Sequence, residues 1–114
     1  MKNAMKTTLA LAALLAASIP AFASSGNAEA GGKKAVEKGC PTCHGKNGIS
    51  ISPEFPNLAG QNEDYLVASL RHYMNGQRKN PIMSAQVQAA KLTERDIEDL
   101  AAYFSSQNGL YVKD

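Results

Sequence analysis

Past its first two dozen positions the chain alternates amphipathic, helix-like stretches with segments rich in glycine, proline, serine and asparagine, and it shows no convincing strand run. From Glu63 to Asn75, Leu66, Leu70, Tyr73 and Met74 fall at i, i+4, i+7 and i+8, one face of a helix. Asn62 is its candidate N-cap, Glu63 and Asp64 place acidic charge in the first turn, and Gly76 is the stop. A further helix opens after Thr93, carries Glu94 and Asp96 near its start and runs to about Ser106, with Ile97, Leu100, Ala101 and Phe104 as its apolar set and Tyr103 beside them. A short helix is expected over Lys33 to Gly39. Ser24 to Gly32 reads as a small, flexible leader, and Gly45 to Gly60 as one long ordered loop, a length that in a small domain usually serves function. The pattern predicts an all-α domain of three to four short helices and loops, ordered over about 32–107.

The N-terminus has a different logic. Lys2 and Lys6 precede an apolar run from Leu9 to Ile19, followed by Pro20 and the small-x-small sequence Ala21-Phe22-Ala23. This three-part layout predicts a secretory signal over 1–23, cut after Ala23, with the domain proper over 24–114. The apolar run is shorter than the roughly 20 residues a membrane span requires. The expected location is the periplasm, with no membrane span once the signal is removed.

Cleavage also alters the charge balance. Without Lys2 and Lys6, ten basic side chains face ten acidic ones, and no basic run exceeds Lys33-Lys34, so nothing favours nucleic-acid binding. At this size an apolar core alone is marginal, and a staple, metal or cofactor is expected to support it.

Cys40 and Cys43 are the only cysteines, and His44 and His72 the only histidines. A thioredoxin-type redox pair would sit in an alternating βαβ pattern, which is missing, and zinc would need two more ligands at sensible spacing. What remains is Cys40-Pro41-Thr42-Cys43-His44, the attachment signature of a c-type haem. Two thiols separated by two residues can each add to one haem vinyl group, and the adjacent histidine is then carried to the iron. His44 is the expected proximal ligand, its second ring nitrogen donating to a backbone carbonyl.

The sixth coordination position separates an electron carrier from a gas-binding or catalytic haem. Its candidates are Met74, Met83 and His72. Met74 shares the stripe of Leu66 and Leu70 and reads as a core methionine. His72 points away from that stripe. Met83 lies in Lys79-Asn80-Pro81-Ile82-Met83-Ser84, read as irregular chain between two helices, from which a thioether could reach iron, and it is the preferred candidate.

These residues resemble the class I cytochromes c, and within them a small bacterial branch that also contains tandem dihaem members. The similarity runs from about Gly32 to Ser106. It rests on Cys40-Pro41-Thr42-Cys43-His44-Gly45 with Gly48, on Pro56-Asn57-Leu58-Ala59-Gly60-Gln61, on Tyr65-Leu66, on Gly76-Gln77-Arg78 leading to Met83, and on Asp99-Leu100-Ala101-Ala102-Tyr103-Phe104. The resemblance implies one haem c bound through Cys40 and Cys43, with His44 and Met83 as the iron ligands. It implies that the Pro56 carbonyl accepts the hydrogen bond from His44 and that Leu58 packs in the haem pocket. It further implies that Gly32 and Val36 of the first helix cross Leu100 and Tyr103 of the last. Two departures from the mitochondrial-type pattern stand out. No tryptophan is present to bind a haem propionate, leaving Tyr65, Gln61 and Arg78 as candidate partners. No lysine ring surrounds the haem edge, which argues against strong electrostatic docking to an acidic partner.

With both axial positions supplied by protein, the expected role is a one-electron carrier and not an enzyme. Redox partners are implied by the resemblance, with a bc-type complex as donor and a terminal oxidase, peroxidase or nitrogen-oxide reductase as acceptor. A different class of reading remains beside it: the haem subunit of an exported dehydrogenase, or a haem domain with an open sixth position.

Overall fold

The computed structural model describes residues 26–110, together with residues 12 and 13; the expected signal otherwise lies outside the described residues. Five helices follow in order: α1 (Ala28–Glu37), α2 (Pro41–His44), α3 (Glu63–Asn75), α4 (Pro81–Ala90) and α5 (Glu94–Ser106). No strand occurs among the described residues, and no helix there is long and apolar enough to cross a membrane.

The two central helices begin and end where their capping residues dictate. The Asn62 side chain accepts from the Tyr65 N–H, and Gly76 closes α3 in the left-handed region. In α5, Thr93 and Asp96 satisfy each other's backbone N–H groups, a reciprocal capping box. Two elements differ from the sequence expectation. Helix α1 starts at Ala28, capped by the Asn27 side chain accepting from Ala30 N–H, so the supposed flexible leader is helical over its second half. Residues 81–90 are also helical, with Pro81 in the first turn and the Asn80 side chain accepting from both the Ile82 and Met83 N–H groups. Met83 therefore sits on the first turn of a helix and not in irregular chain.

Helix α1 lies across α5, α3 packs on the same helix, and α4 packs on α3. The α1/α5 crossing explains the glycines of α1. A methyl group at Gly31 would overlap the Asp99 carbonyl and stand 2.7 Å from Tyr103 Cβ, so the backbones touch. The close approach falls one residue earlier than the resemblance implied. Gly32 does lie against the Tyr103 ring, but Val36 is 71 % exposed, and it is Ala35 that enters the core with Leu100. The period of 3.6 puts Gly31 and Ala35 on one face and turns Val36 out. Gly31→Val should destabilise the haem-loaded protein by on the order of 3 kcal/mol, because the helices can separate only by giving up that contact. A thermal melt alongside Gly32→Ala, where only a ring edge must shift, checks this.

The same crossing holds a buried charge. Asp99 is 3 % exposed, accepts from the Asn27 N–H at 2.8 Å and from Lys34 Nζ at 2.7 Å, and Lys34 also reaches Asp96 at 2.9 Å. Burial pushes the Asp99 carboxyl up, but the Lys34 and Asn27 hydrogen bonds outweigh it and hold it below the ordinary range. Hydrogen bonds from Thr93 and Lys34 hold Asp96 low as well, and its two carboxylate partners hold Lys34 high. The carboxylates thus contribute stability that is present above their unfolded pKa of about 4 and lost as pH falls through the lower folded values. The Lys34 contribution is complete below about pH 10 and lost only as pH rises beyond that. Asp99→Ala should cost about 2 kcal/mol at neutral pH and flatten the acid limb of a stability-against-pH curve measured by denaturant titration.

The remaining core is thin. Leu66, Leu100, Ala101, Phe104 and Ala35 form the buried cluster, with Leu58, Leu70 and Leu92 only partly covered at its margin. Among the described residues the largest fully buried side chain is a valine, Val87. Its half-covered leucines edge an open cleft.

Candidate functional site

The cleft encloses about 670 Å³ of space, its mouth included, between α2, the 45–60 loop and the last three helices. Cys40, His44 and Leu58 line it from the N-terminal half; Leu66, Ser69 and Leu70 from α3; Met83, Gln86 and Val87 from α4; Leu100, Ala101 and Phe104 from α5. Met74 and His72 do not line it, and His72 is exposed.

The local folding of each wall follows from its sequence. Cys40, Pro41, Thr42, Cys43 and His44 make one helical turn, closed by the His44 N–H donating to the Cys40 carbonyl at 3.0 Å. Residues three apart on such a turn are neighbours, which places Cys40 and Cys43 side by side on it. The thiols are not joined to each other; both are half-buried, and burial pushes the Cys40 thiol up. Cys43 lies outside the cleft lining.

The loop is built around Gly48. Its carbonyl accepts from the Leu58 and Ala59 N–H groups at 2.7 and 3.1 Å, and its φ of +80° with Ala59 N and the Phe104 ring within 3 Å of any added Cβ leaves room for glycine alone. Asn57 Oδ1 accepts from the Ser50 N–H at 2.7 Å, which closes the far end of the loop. This scaffold brings the Pro56 carbonyl 2.9 Å from His44 Nδ1. A carbonyl can only accept, so Nδ1 carries the proton and Nε2 keeps its lone pair.

On the other side α4 is tied down at three polar points. Gln86 Nε2 donates to the Lys38 carbonyl at 2.7 Å, Lys38 Nζ donates to the Ala90 carbonyl at 3.0 Å, and Gln88 Nε2 donates to the Met74 carbonyl at 3.2 Å. Sequence reasoning missed this helix and its ties. The signal was present in Asn80-Pro81, a cap followed by a first-turn proline, ahead of a run free of helix breakers.

The donor set fits a c-type haem: two thiols on one turn, an imidazole whose outer nitrogen is anchored, a thioether on a different element, and an almost wholly apolar cleft. A polar substrate would find little to bind there.

Comparison with known proteins agrees. Residues 29–108 match the cytochrome c family model. Cytochrome c-554(548) of Halomonas halodenitrificans is 44 % identical over 69 residues, which is 60 % of this chain and 83 % of that one. Cytochrome c4 of Stutzerimonas stutzeri is 42 % identical over 93 residues, covering 75 % of this chain and 43 % of the relative. The crystal structure of reduced recombinant cytochrome c4 from Pseudomonas stutzeri superimposes with a TM-score of 0.67 at 41 % identity, over 75 % of this chain and 47 % of that one. The chain thus spans less than half the length of these cytochrome c4 relatives. With a family match across nearly all of the described residues, the CxxCH turn at its centre and the helical fold shared with a solved relative, the chain belongs to the cytochrome c family, electron-transfer proteins that bind c-type haem through a cysteine pair.

Proposed function

We propose that this chain is a soluble periplasmic one-electron carrier holding a single haem c through Cys40 and Cys43, with His44 and Met83 as iron ligands. The observation that supports the ligand assignment is the 2.9 Å contact between His44 Nδ1 and the Pro56 carbonyl, which leaves the Nε2 lone pair available on a residue that lines an apolar cleft. Bound there, the haem supplies a metal that alternates between ferrous and ferric states.

The chain's own residues then have separate tasks. The Pro56 carbonyl fixes the ring orientation and tautomer of His44. Leu58, Leu66, Leu70, Val87 and Phe104 keep water from the cleft. The Asn80 cap holds the first turn of α4, and the Gln86 and Lys38 ties hold that helix against the end of α1, which sets where the Met83 thioether stands. Ligands pre-positioned in both oxidation states keep the structural change on electron transfer small.

An equilibrium redox titration, repeated under carbon monoxide, tests the carrier reading. A single one-electron transition that carbon monoxide leaves unmoved is expected; tight carbon monoxide binding to the reduced protein at neutral pH would point to an open sixth position. Export belongs to the same proposal: residues 1–23 act as a signal removed after Ala23, read by N-terminal sequencing of the secreted protein. The partners are redox proteins, a donor and an acceptor, met without a strongly charged docking face.

A further inference from the structure

A one-electron carrier changes charge by one unit inside its cleft, so any fixed charge on the cleft wall weights one oxidation state against the other. Among the lysines, arginines and acidic residues of this chain, Lys38 alone lines the cleft. No carboxylate lines it, and Lys38 makes no ion pair with one among the described residues. The wall therefore carries a single uncompensated cation.

Lys38 is pinned at backbone and side chain alike. Its N–H donates to the Lys34 carbonyl at 2.8 Å, and the Gly39 and Cys40 N–H groups donate to the Val36 and Ala35 carbonyls at 3.1 and 3.0 Å, which locks the chain as it passes from α1 into the Cys40–His44 turn. Its side chain crosses to α4, where Nζ donates at 3.0 Å to the carbonyl of Ala90, the last residue of that helix. Helix α4 has no basic residue in its own last turn, so α1 supplies a cation to the end where unpaired carbonyls gather partial negative charge. Gln86 returns the tie, its Nε2 donating to the Lys38 carbonyl at 2.7 Å. Both Gln86 and Ala90 line the cleft, so these bonds anchor a half-buried ammonium at its edge. Lys33, by contrast, holds its head out on the exposed face of the same helix, with its side chain 75 % exposed.

We propose that Lys38 tunes the reduction potential of this carrier, its ammonium being held by Ala90 at the edge of the cleft as a fixed positive charge that favours the reduced state. This rests on the haem reading above. A cation beside the cleft opposes the extra positive charge of the ferric iron, so it raises the midpoint potential. The apolar wall and the partial burial of Lys38 leave that interaction less screened than one from an exposed lysine. The ties to Ala90 and Gln86 hold the charge at one distance from the cleft, which a freely moving lysine head would not keep.

The test is the midpoint potential of haem-loaded protein at neutral pH, at low and at high ionic strength, for the wild type, Lys38→Met, Lys38→Arg and Lys33→Met. The far-red methionine-iron band of the oxidised protein is read on each sample. Lys38→Met should lower the midpoint at both ionic strengths while keeping the band. Lys38→Arg, which retains charge and donors, should stay near the wild type. Lys33→Met removes one positive charge from the exposed face of the same helix and should give a small shift that salt abolishes. Lys38→Gln, which keeps an N–H donor without the charge, carries the same test if the methionine variant does not assemble. A haem-loaded Lys38→Met or Lys38→Gln with the midpoint of the wild type or of Lys33→Met overturns this proposal alone. So does a midpoint that falls only together with loss of the far-red band, which would leave Lys38 as no more than a tie for α4. A wild type that carries no haem overturns the parent reading, and this one with it.

Discussion

Kept free of haem, the chain is expected to show no cooperative thermal transition, whereas the haem-loaded protein should melt in one sharp step. The cleft walls are the margin of the core: Leu58, Leu70 and Leu92 are only partly covered, and Leu66, Leu100 and Phe104 face the cleft from behind them. An occupant that takes on the order of 400 Å² of apolar surface out of water, its own faces together with the cleft wall, contributes about 10 kcal/mol at about 25 cal/mol per Å². That is comparable to the whole net stability of a small domain, about 5–15 kcal/mol. Without it the α1/α5 crossing and its Asp99–Lys34 pair remain, too little to order α3, α4 and the loop. Circular dichroism of the Cys40→Ala/Cys43→Ala chain, made where no haem is attached, reads the outcome. A cooperative melt close to that of the holoprotein would show that the helices do not depend on the haem.

Met83→Ala and Met74→Leu should behave oppositely. Met83 lines the cleft from the first turn of α4; Met74 is half-buried on α3, outside the lining, and its carbonyl accepts from Gln88. Removing the Met83 thioether should lower the reduction potential and let carbon monoxide bind the reduced iron, since a soft sixth ligand raises the potential and blocks access. Met74→Leu conserves volume and should cost less than about 1.5 kcal/mol, with ligation untouched. Loss of the methionine-iron absorption band in the Met74 variant, with retention in the Met83 variant, would reverse the assignment.

What the sequence disclosed, it disclosed through local chemistry. Helices α3 and α5 were legible because Asn62 and Thr93 satisfy backbone groups within their own few residues and Gly76 turns the chain out of α3 in the left-handed region. The CxxCH turn was legible because the spacing of its thiols and histidine is set by covalent attachment. The start of α1 was not, since Gly31 and Gly32 weaken a helix on propensity alone and are there to let α1 touch Asp99 and Tyr103, seventy residues away. The same long-range cause shifted the crossing from Val36 to Ala35. Helix α4 was obscured by reading Asn80-Pro81 as loop chemistry, though the pair is equally a helix start. Beside the cleft, Arg78 reaches Tyr65 and Ser69, a contact that joins residues on both sides of the α3 terminus and that no spacing rule announces at Ser69.

The absorption spectrum of the purified protein, oxidised and then reduced, bears most directly on the proposed single haem with histidine and methionine ligands. A c-type alpha band in the reduced protein, with a weak far-red band in the oxidised protein that disappears on reduction, is the expected pair of features. A colourless preparation would mean that the cleft holds no haem. A c-type spectrum lacking the far-red band, with a five-coordinate signature in the reduced protein, would mean that Met83 is not on the iron and that the chain is not a simple carrier.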